Sequence, residues 1–324
     1  MSSTPFAVVL GLEDGSSLAE LEPPTLVEAL TRRVRSAERA GFTAVTFDDA
    51  PLADAGRYAS IDAVQRAAFV APSTQGIGLI ARTHPAYAEP FHVATQLASL
   101  DWASRGRAGW WPVAASDPRE ARAAGQDPLT DAELARERDD AIEVSRRLWD
   151  SWEDDAVITD VDTGRYLDAD RLHYVDFVGA RYTVKGPLIT PRPPQGQPLV
   201  IGDAGAPGID VALVDALHAD RAADPEVGAP LVWALLRATV SPAGDAEALV
   251  QRLVELSRVV DGVHLVLEDT DLDAGIDLVG RAVLPAFDRV SGGIRRAVPR
   301  PGRTLRDTLG LERPLSRYAQ KEIA

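Results

Sequence analysis

Two groups of polar residues follow apolar runs in this sequence, and each has a functional and a structural reading. Asp48 ends one run, and Arg82, Thr83 and His84 end the next. An arginine pairs through its guanidinium with a phosphate, or with a carboxylate such as Asp48. A later turn, GDAGAPG at residues 202–208, has two readings. It either presents backbone N–H groups to a phosphate at a helix N-terminus or simply connects a strand to a helix.

Two adjacent tryptophans, Trp110 and Trp111, lie in the apolar stretch GRAGWWPVAAS. The sequence has only 6 Trp, so a neighbouring pair needs a physical reason. Either the pair is a strand end packed in the core, or one indole forms the wall of a site.

Metal and thiol chemistry have little support in the sequence. Cysteine is absent, which excludes disulfides, thiolate metal sites and a cysteine nucleophile. The 5 His show no ligand spacing, and we therefore expect no metal site.

The charge and the apolar runs limit the partners. The formal net charge of −15 disfavours binding to nucleic acid, because phosphates would be repelled. No apolar run is long enough to span a bilayer, and the N-terminal stretch MSSTPFAVVLGLEDG lacks the positive region of a signal peptide. We expect a cytoplasmic protein with no membrane partner.

Strands alternate with amphipathic helices along the chain, which predicts parallel βαβ units. The predicted strands are residues 6–12, 43–49, 76–83, 107–115, 198–205, about 220–223, 229–240 and 262–269. The predicted helices are residues 25–41, 60–73, 89–104, 131–152, 209–219, 245–260 and 274–290. Eight such strands predict an α/β fold, a closed (β/α)8 TIM barrel formed by one domain over residues 1–324. The insertion at about 153–195 should contain a β-hairpin, and a basic, loop-like tail follows at about 292–324.

The active site of such a barrel lies at the carboxyl ends of its strands. The residues predicted at these ends are Glu13, Asp14, Asp48, Asp49, 82–84, 114–116, 203–208, Ser241, Glu268 and Asp269.

Four segments carry a family resemblance. In chain order they are IGLIARTHPAYAEPFHVATQLASLDWASRGRAGW, LWDSWEDDA, GRYLDADRLHYVDFVGARYTVKGPLITPRPPQGQPLVI and TLRDTLGLERP. Together they resemble the bacterial-luciferase-like flavin monooxygenases, and more closely the branch with nitrilotriacetate and dibenzothiophene-sulfone monooxygenases.

The resemblance implies a TIM barrel and a homodimer that acts on a small organic substrate. It also implies reduced, diffusible FMN from a separate flavin reductase, with dioxygen as co-substrate and no assigned catalytic acid–base pair. By the resemblance, the flavin-binding positions are Asp48, Arg82, Thr83, Trp111, Gly205, Ala206 and Gly208. His84 and Trp111 would line the substrate pocket.

Two positions depart from the family pattern at the flavin. Trp111 stands where the family has an asparagine that hydrogen-bonds to the ring, and an indole cannot accept a hydrogen bond as an amide oxygen does. Ala135 stands where the family has a tyrosine for the phosphate. That donor is lost unless Arg136 or Arg138 replaces it.

The turn at 202–208 departs as well. Asp203 replaces a glutamine, while Ala206 and Pro207 stand at the family's serine positions. Two alternatives to a flavin monooxygenase therefore stay open. One is a non-catalytic, degenerate barrel that no longer binds flavin, and the other is an oxidoreductase that uses the deazaflavin coenzyme.

Overall fold

A computed structural model describes residues 4–12, 23–49, 61–115, 117–240, 245–268 and 271–318. Of the predicted strand-end residues, Glu13, Asp14, Ser116, Ser241 and Asp269 lie outside these ranges.

Eight parallel strands close into a barrel, which confirms the predicted fold class. The barrel strands are β1 (Ala7–Gly11), β2 (Ala44–Asp48), β3 (Gly78–Thr83), β4 (Ala108–Pro112), β9 (Leu199–Asp203), β10 (Val211–Asp215), β11 (Leu231–Ala238) and β12 (Gly262–Leu267). Their order around the barrel is β1-β12-β11-β10-β9-β4-β3-β2. β12 closes it by pairing with β1 in the register Val9 to His264.

Helices surround the barrel. They are α1 (Pro23–Ala40), α2 (Ala63–Val70), α3 (Pro90–Ser104), α4 (Pro118–Ala123), α5 (Asp131–Asp150), α6 (Asp245–Leu256), α7 (Leu272–Leu278), α8 (Leu284–Val290) and α9 (Leu305–Leu309). A π-helical turn at Val279–Val283 joins α7 to α8. The N-terminus of α5 has a capping box, in which Thr130 and Glu133 bond to each other's backbone N–H groups.

The sixth barrel strand corrects the sequence prediction. A helix was predicted at 209–219 and a strand at about 220–223, but the strand is Val211–Asp215 and a 3-10 helix follows at Ala216–Ala223. The run from Ile209 to Val214 is buried on both strand faces, and such runs give no alternation that separates strand from helix. Residues 204–210 thus return from β9 to β10 without a helix, whereas parallel strands are usually joined by one.

The insertion contains two hairpins rather than the one predicted. They are formed by β5 (Val157–Asp160) with β6 (Arg165–Leu167), and by β7 (Phe177–Val178) with β8 (Thr183–Val184). Trp152 fixes the insertion to the end of α5, since its Nε1 donates to the carbonyl of Leu188 at 2.7 Å.

The tail helix α9 closes the amino-terminal end of the barrel. Leu305 and Leu309 are both 1% exposed and belong to the apolar cluster inside the barrel. A Cβ at Gly78 would lie 2.7 Å from a methyl carbon of Leu305, so glycine makes room for the tail. The tail, predicted to be loop-like, therefore carries a helix that completes the core.

Within the described residues, no helix is both long and apolar enough to cross a membrane. The same residues contain no group of three or more His, Asp or Glu side chains that could hold a metal ion.

Candidate active site

Asp48, Arg82 and Trp111 converge at the carboxyl end of the barrel. Side chains alternate across a strand, so Arg82 shares the inner face of β3 with Ile80, which belongs to the interior cluster. The Arg82 Nη1 donates to both carboxylate oxygens of Asp48 at 2.6 Å. Its guanidinium carbon lies 4.9 Å from the centroid of the Trp111 ring. Of the two partners considered for Arg82, the structure therefore provides the carboxylate.

The two tryptophans face opposite sides of β4. Trp110 is fully buried in the outer core and meets Trp149 edge to face, with ring centroids 6.1 Å apart. Trp111 is 8% exposed and belongs to the cluster inside the barrel. Trp110 is therefore a core residue outside the barrel, whereas Trp111 lies in the interior cluster near the carboxyl end of β4.

Sequence reasoning missed His264 of β12. Its ring meets Trp111 edge to face, with 5.2 Å between centroids and 81° between planes. Its Nε2 lies 2.9 Å from the Thr46 Oγ1, and its Nδ1 has no hydrogen-bond partner among the described residues. A Cβ at Gly11 would lie 3.1 Å from the His264 Cε1, so glycine at position 11 lets the imidazole reach Thr46.

His264 carries no charge at neutral pH. Burial, followed by the nearby guanidiniums of Arg82 and Arg237, lowers the pKa of the imidazole to about 3. Strand alternation in the sequence is the signal that could have placed the His264 side chain inside the barrel. In GVHLVLED, residues 262, 264, 266 and 268 share one face, and that face lines the barrel.

The side chains of Thr83 and His84 are not part of the inward-facing group formed by Asp48, Arg82, Trp111 and His264. The Thr83 hydroxyl accepts a hydrogen bond from the Trp110 Nε1 at 2.9 Å, which places it in the outer core rather than the interior. His84 is partly exposed, and its Nδ1 lies 3.0 Å from the Ala115 carbonyl oxygen.

The turn after β9 uses its own backbone donors. The Ala206 N–H donates to the Asp203 carbonyl at 3.0 Å, which closes a β-turn. Gly205 has a φ of 84°, the left-handed value that the third position of a type II turn requires. Its N–H donates to the Val227 carbonyl at 3.0 Å. The conformation of the turn thus explains Gly205 without a ligand.

Arg138 of α5 points to this turn. Its Nη1 donates to a carboxylate oxygen of Asp203 at 2.8 Å, and its Nε and Nη2 donate to Asp139. Of the two arginines considered as replacements for the tyrosine, Arg138 is 8% exposed at the end of β9, while Arg136 is exposed on the helix.

A family model described as luciferase-like monooxygenase matches residues 9–261. The chain belongs to the luciferase-like monooxygenase family. The resemblance in the sequence is therefore confirmed, although the family match does not assign the substrate.

Two relatives illustrate the match. The chain is 35% identical to a subunit of pristinamycin IIA synthase from Streptomyces pristinaespiralis, over 92% of this chain and 94% of that protein. It is 33% identical to nitrilotriacetate monooxygenase component A of Aminobacter aminovorans, over 68% of this chain but only 48% of that protein.

A solved structure of a long-chain alkane monooxygenase has the same fold. It superposes with a TM-score of 0.76 over 96% of each chain, at 16% identity. At that identity, the likeness concerns the fold alone.

FMN has a planar ring and a phosphate, and the described residues fit these two parts differently. For the ring, the described residues offer the Trp111 indole and the Arg82 guanidinium beside it. The Arg82 Nε is buried and has no hydrogen-bond partner among the described residues. The phosphate end does not fit as expected, because the Gly205 and Ala206 amides are already bonded.

Proposed function

We propose that the chain is a flavin-dependent monooxygenase that acts on a small organic substrate. The observation that carries this proposal is the inward-facing group of Asp48, Arg82 and Trp111, which lies at the carboxyl end of a luciferase-like barrel. In this fold, that end is where chemistry takes place. Reduced FMN would be the cofactor and dioxygen the co-substrate.

When bound, the reduced flavin would supply the activation of oxygen, and the protein would bind, orient and exclude water. Trp111 would close the bottom of the site as a flat apolar surface. Asp48 would hold the Arg82 guanidinium in place beside the Trp111 ring.

We propose a separate flavin reductase as a partner and a homodimer as the assembly. The names of the two relatives support a multi-protein system, since one is called a component and the other a subunit. The reductase would contact the protein only transiently, because the flavin diffuses between them.

The first test is a titration of the purified protein with oxidised FMN, reduced FMN and the deazaflavin coenzyme. Intrinsic tryptophan fluorescence and visible absorbance report binding, because a flavin close to Trp111 should quench its emission. Saturable binding of FMN in either redox state supports the proposal. Saturation by deazaflavin alone would favour the hydride-transfer alternative, and no saturation by any of them would favour a degenerate barrel.

The second test supplies reduced FMN from a flavin reductase under air, with nitrilotriacetate and dibenzothiophene sulfone as trial substrates. Oxygenated product measured by mass spectrometry supports a monooxygenase. The Asp48→Asn variant serves as a comparison, since it frees the Arg82 guanidinium and should change ligand affinity while leaving the fold intact.

A further inference from the structure

In the turn after β9, the Gly205 and Ala206 N–H groups are not available to a phosphate. A phosphate at such a turn is held by several backbone N–H groups that point outward. Here the Gly205 and Ala206 N–H groups bond to carbonyls of the chain, and Pro207 has no N–H. The Gly208 carbonyl faces the guanidinium of Arg146, whose Nε donates to it at 2.7 Å.

No helix begins at this turn. Residues 204–210 lead directly into β10, so the partial positive charge of a helix N-terminus is missing. Ala206 and Ile209 pack into the outer core in place of that helix. A Cβ at Gly208 would lie 3.2 Å from a methyl carbon of Ile142 on α5, which leaves little space beside the turn.

The first guanidinium near the turn is already neutralised. Arg138 lies between Asp139 and Asp203, with 2.8 Å from Nη2 to Asp139 and 2.8 Å from Nη1 to Asp203. The Asp203 side chain is 67% exposed, so an incoming phosphate would meet a carboxylate before it reached the arginine. The negative charges of the phosphate and the Asp203 carboxylate would repel each other.

The second guanidinium is occupied too. Arg146 donates to the Gly208 carbonyl, the Gln197 side-chain oxygen and a carboxylate oxygen of Asp210 at 3.0 Å. Asp210 also accepts from Arg306 of the tail at 2.7 Å. Among the described residues around the turn, the charges of Arg138, Arg146 and Arg306 are therefore matched by those of Asp139, Asp203 and Asp210.

From these contacts we infer that the site recognises a flavin by its ring and gains no affinity from the phosphate. Riboflavin should therefore bind at least as tightly as FMN. The inference rests on the proposed function and refines it, since it states which part of the cofactor this chain recognises. The ring contacts are neutral overall, because Asp48 cancels the charge of Arg82.

The test is a matched pair of titrations with riboflavin and FMN, which differ only in the phosphate. We expect dissociation constants within about threefold of each other, with riboflavin the tighter ligand at low salt. Two charge-assisted hydrogen bonds to a phosphate would instead make FMN roughly 100-fold tighter or more.

The outcomes separate the inference from the proposed function. FMN binding more than about threefold tighter than riboflavin would overturn the inference and leave the proposed function standing. Failure of both ligands to bind would overturn both statements. Equal or tighter binding of riboflavin supports both.

A variant tests the electrostatic cause. Asp203→Asn removes one carboxylate from Arg138, and we expect FMN to bind about three- to tenfold tighter while riboflavin affinity stays unchanged. Asp162→Asn, in the exposed hairpin turn of the insertion, removes the same charge at a distance and should change neither. Equal effects of Asp203→Asn on both ligands would contradict the proposed cause.

Discussion

The imidazole of His264 meets the indole of Trp111 edge to face, with 5.2 Å between the ring centroids. Both side chains lie inside the barrel, and the Arg82 guanidinium lies 4.9 Å from the same indole. Protonated His264 would add a second positive charge within an apolar interior. The floor of the site therefore depends on a histidine that stays neutral.

The neutrality of His264 predicts acid sensitivity. Its pKa falls from 6.5 to about 3 on folding, chiefly through burial. Below pH 6.5 the unfolded chain binds the proton first, so this stability is complete above pH 6.5 and is lost as the pH falls toward 3. We expect a loss of about 4 kcal/mol in the free energy of unfolding. Urea denaturation should show a shallower decline for His264→Gln, while His92→Gln, on the exposed face of α3, should follow the parent protein.

Asp101 predicts the opposite pH dependence. It is fully buried, and burial raises its pKa to about 6, against the effect of the N–H donors of Gln195 and Ala108. The folded chain binds this proton first, so its contribution to stability increases as the pH falls from 7 to 4. We expect about 3 kcal/mol from this group, absent in Asp101→Asn. A parallel pH profile for the variant and the parent protein would contradict this assignment.

Replacement of Trp111 should cost stability. Trp111→Asn removes a buried indole and leaves a cavity beside His264, so we expect a loss of about 3 kcal/mol or more in the free energy of unfolding. Trp102→Asn is the matched control because the Trp102 side chain is 50% exposed on α3. Similar losses for the two variants, measured by urea denaturation, would argue against an interior position for Trp111.

The pairing of Arg82 with Asp48 should be measurable as a coupling energy. The side chains are 25% and 31% exposed, so we expect about 1 kcal/mol from a double-mutant cycle with Arg82→Gln and Asp48→Asn. The exposed pair Arg119 and Asp117 serves as the control and should give less. Additive effects of the two substitutions would show that the pair does not fix Arg82.

The tail helix α9 should contribute as much to the stability of the fold as a core strand does. Leu305→Ala empties a position inside the barrel, and we expect a loss of about 2–5 kcal/mol. Leu315→Ala changes a side chain that is 73% exposed and should cost less than about 0.5 kcal/mol. Thermal denaturation of the two variants side by side provides the measurement.

Most of the barrel follows from the sequence because its strands are short apolar runs between amphipathic helices. The sixth strand does not, since no helix separates it from β9 and its buried run has no polar alternation that distinguishes a strand from a helix.

The candidate site was predictable in part. Asp48, Arg82 and Trp111 converge as strand ends should, but Thr83 follows Arg82 directly and must face the other side of β3. The same alternation would have placed His264 inside the barrel. The use of the Gly205 and Ala206 amides could not be predicted, because their acceptors depend on how residues 203–227 fold back on themselves.

The order of synthesis sets a limit on how this chain folds. β1 pairs with β2 and with β12, and Leu305 and Leu309 of α9 complete the amino-terminal end of the barrel interior. A nascent chain that has emerged from the ribosome as far as β11 therefore has two unpaired strand edges and an open base. Chaperone binding to such intermediates should persist until the last residues of α9 have been translated.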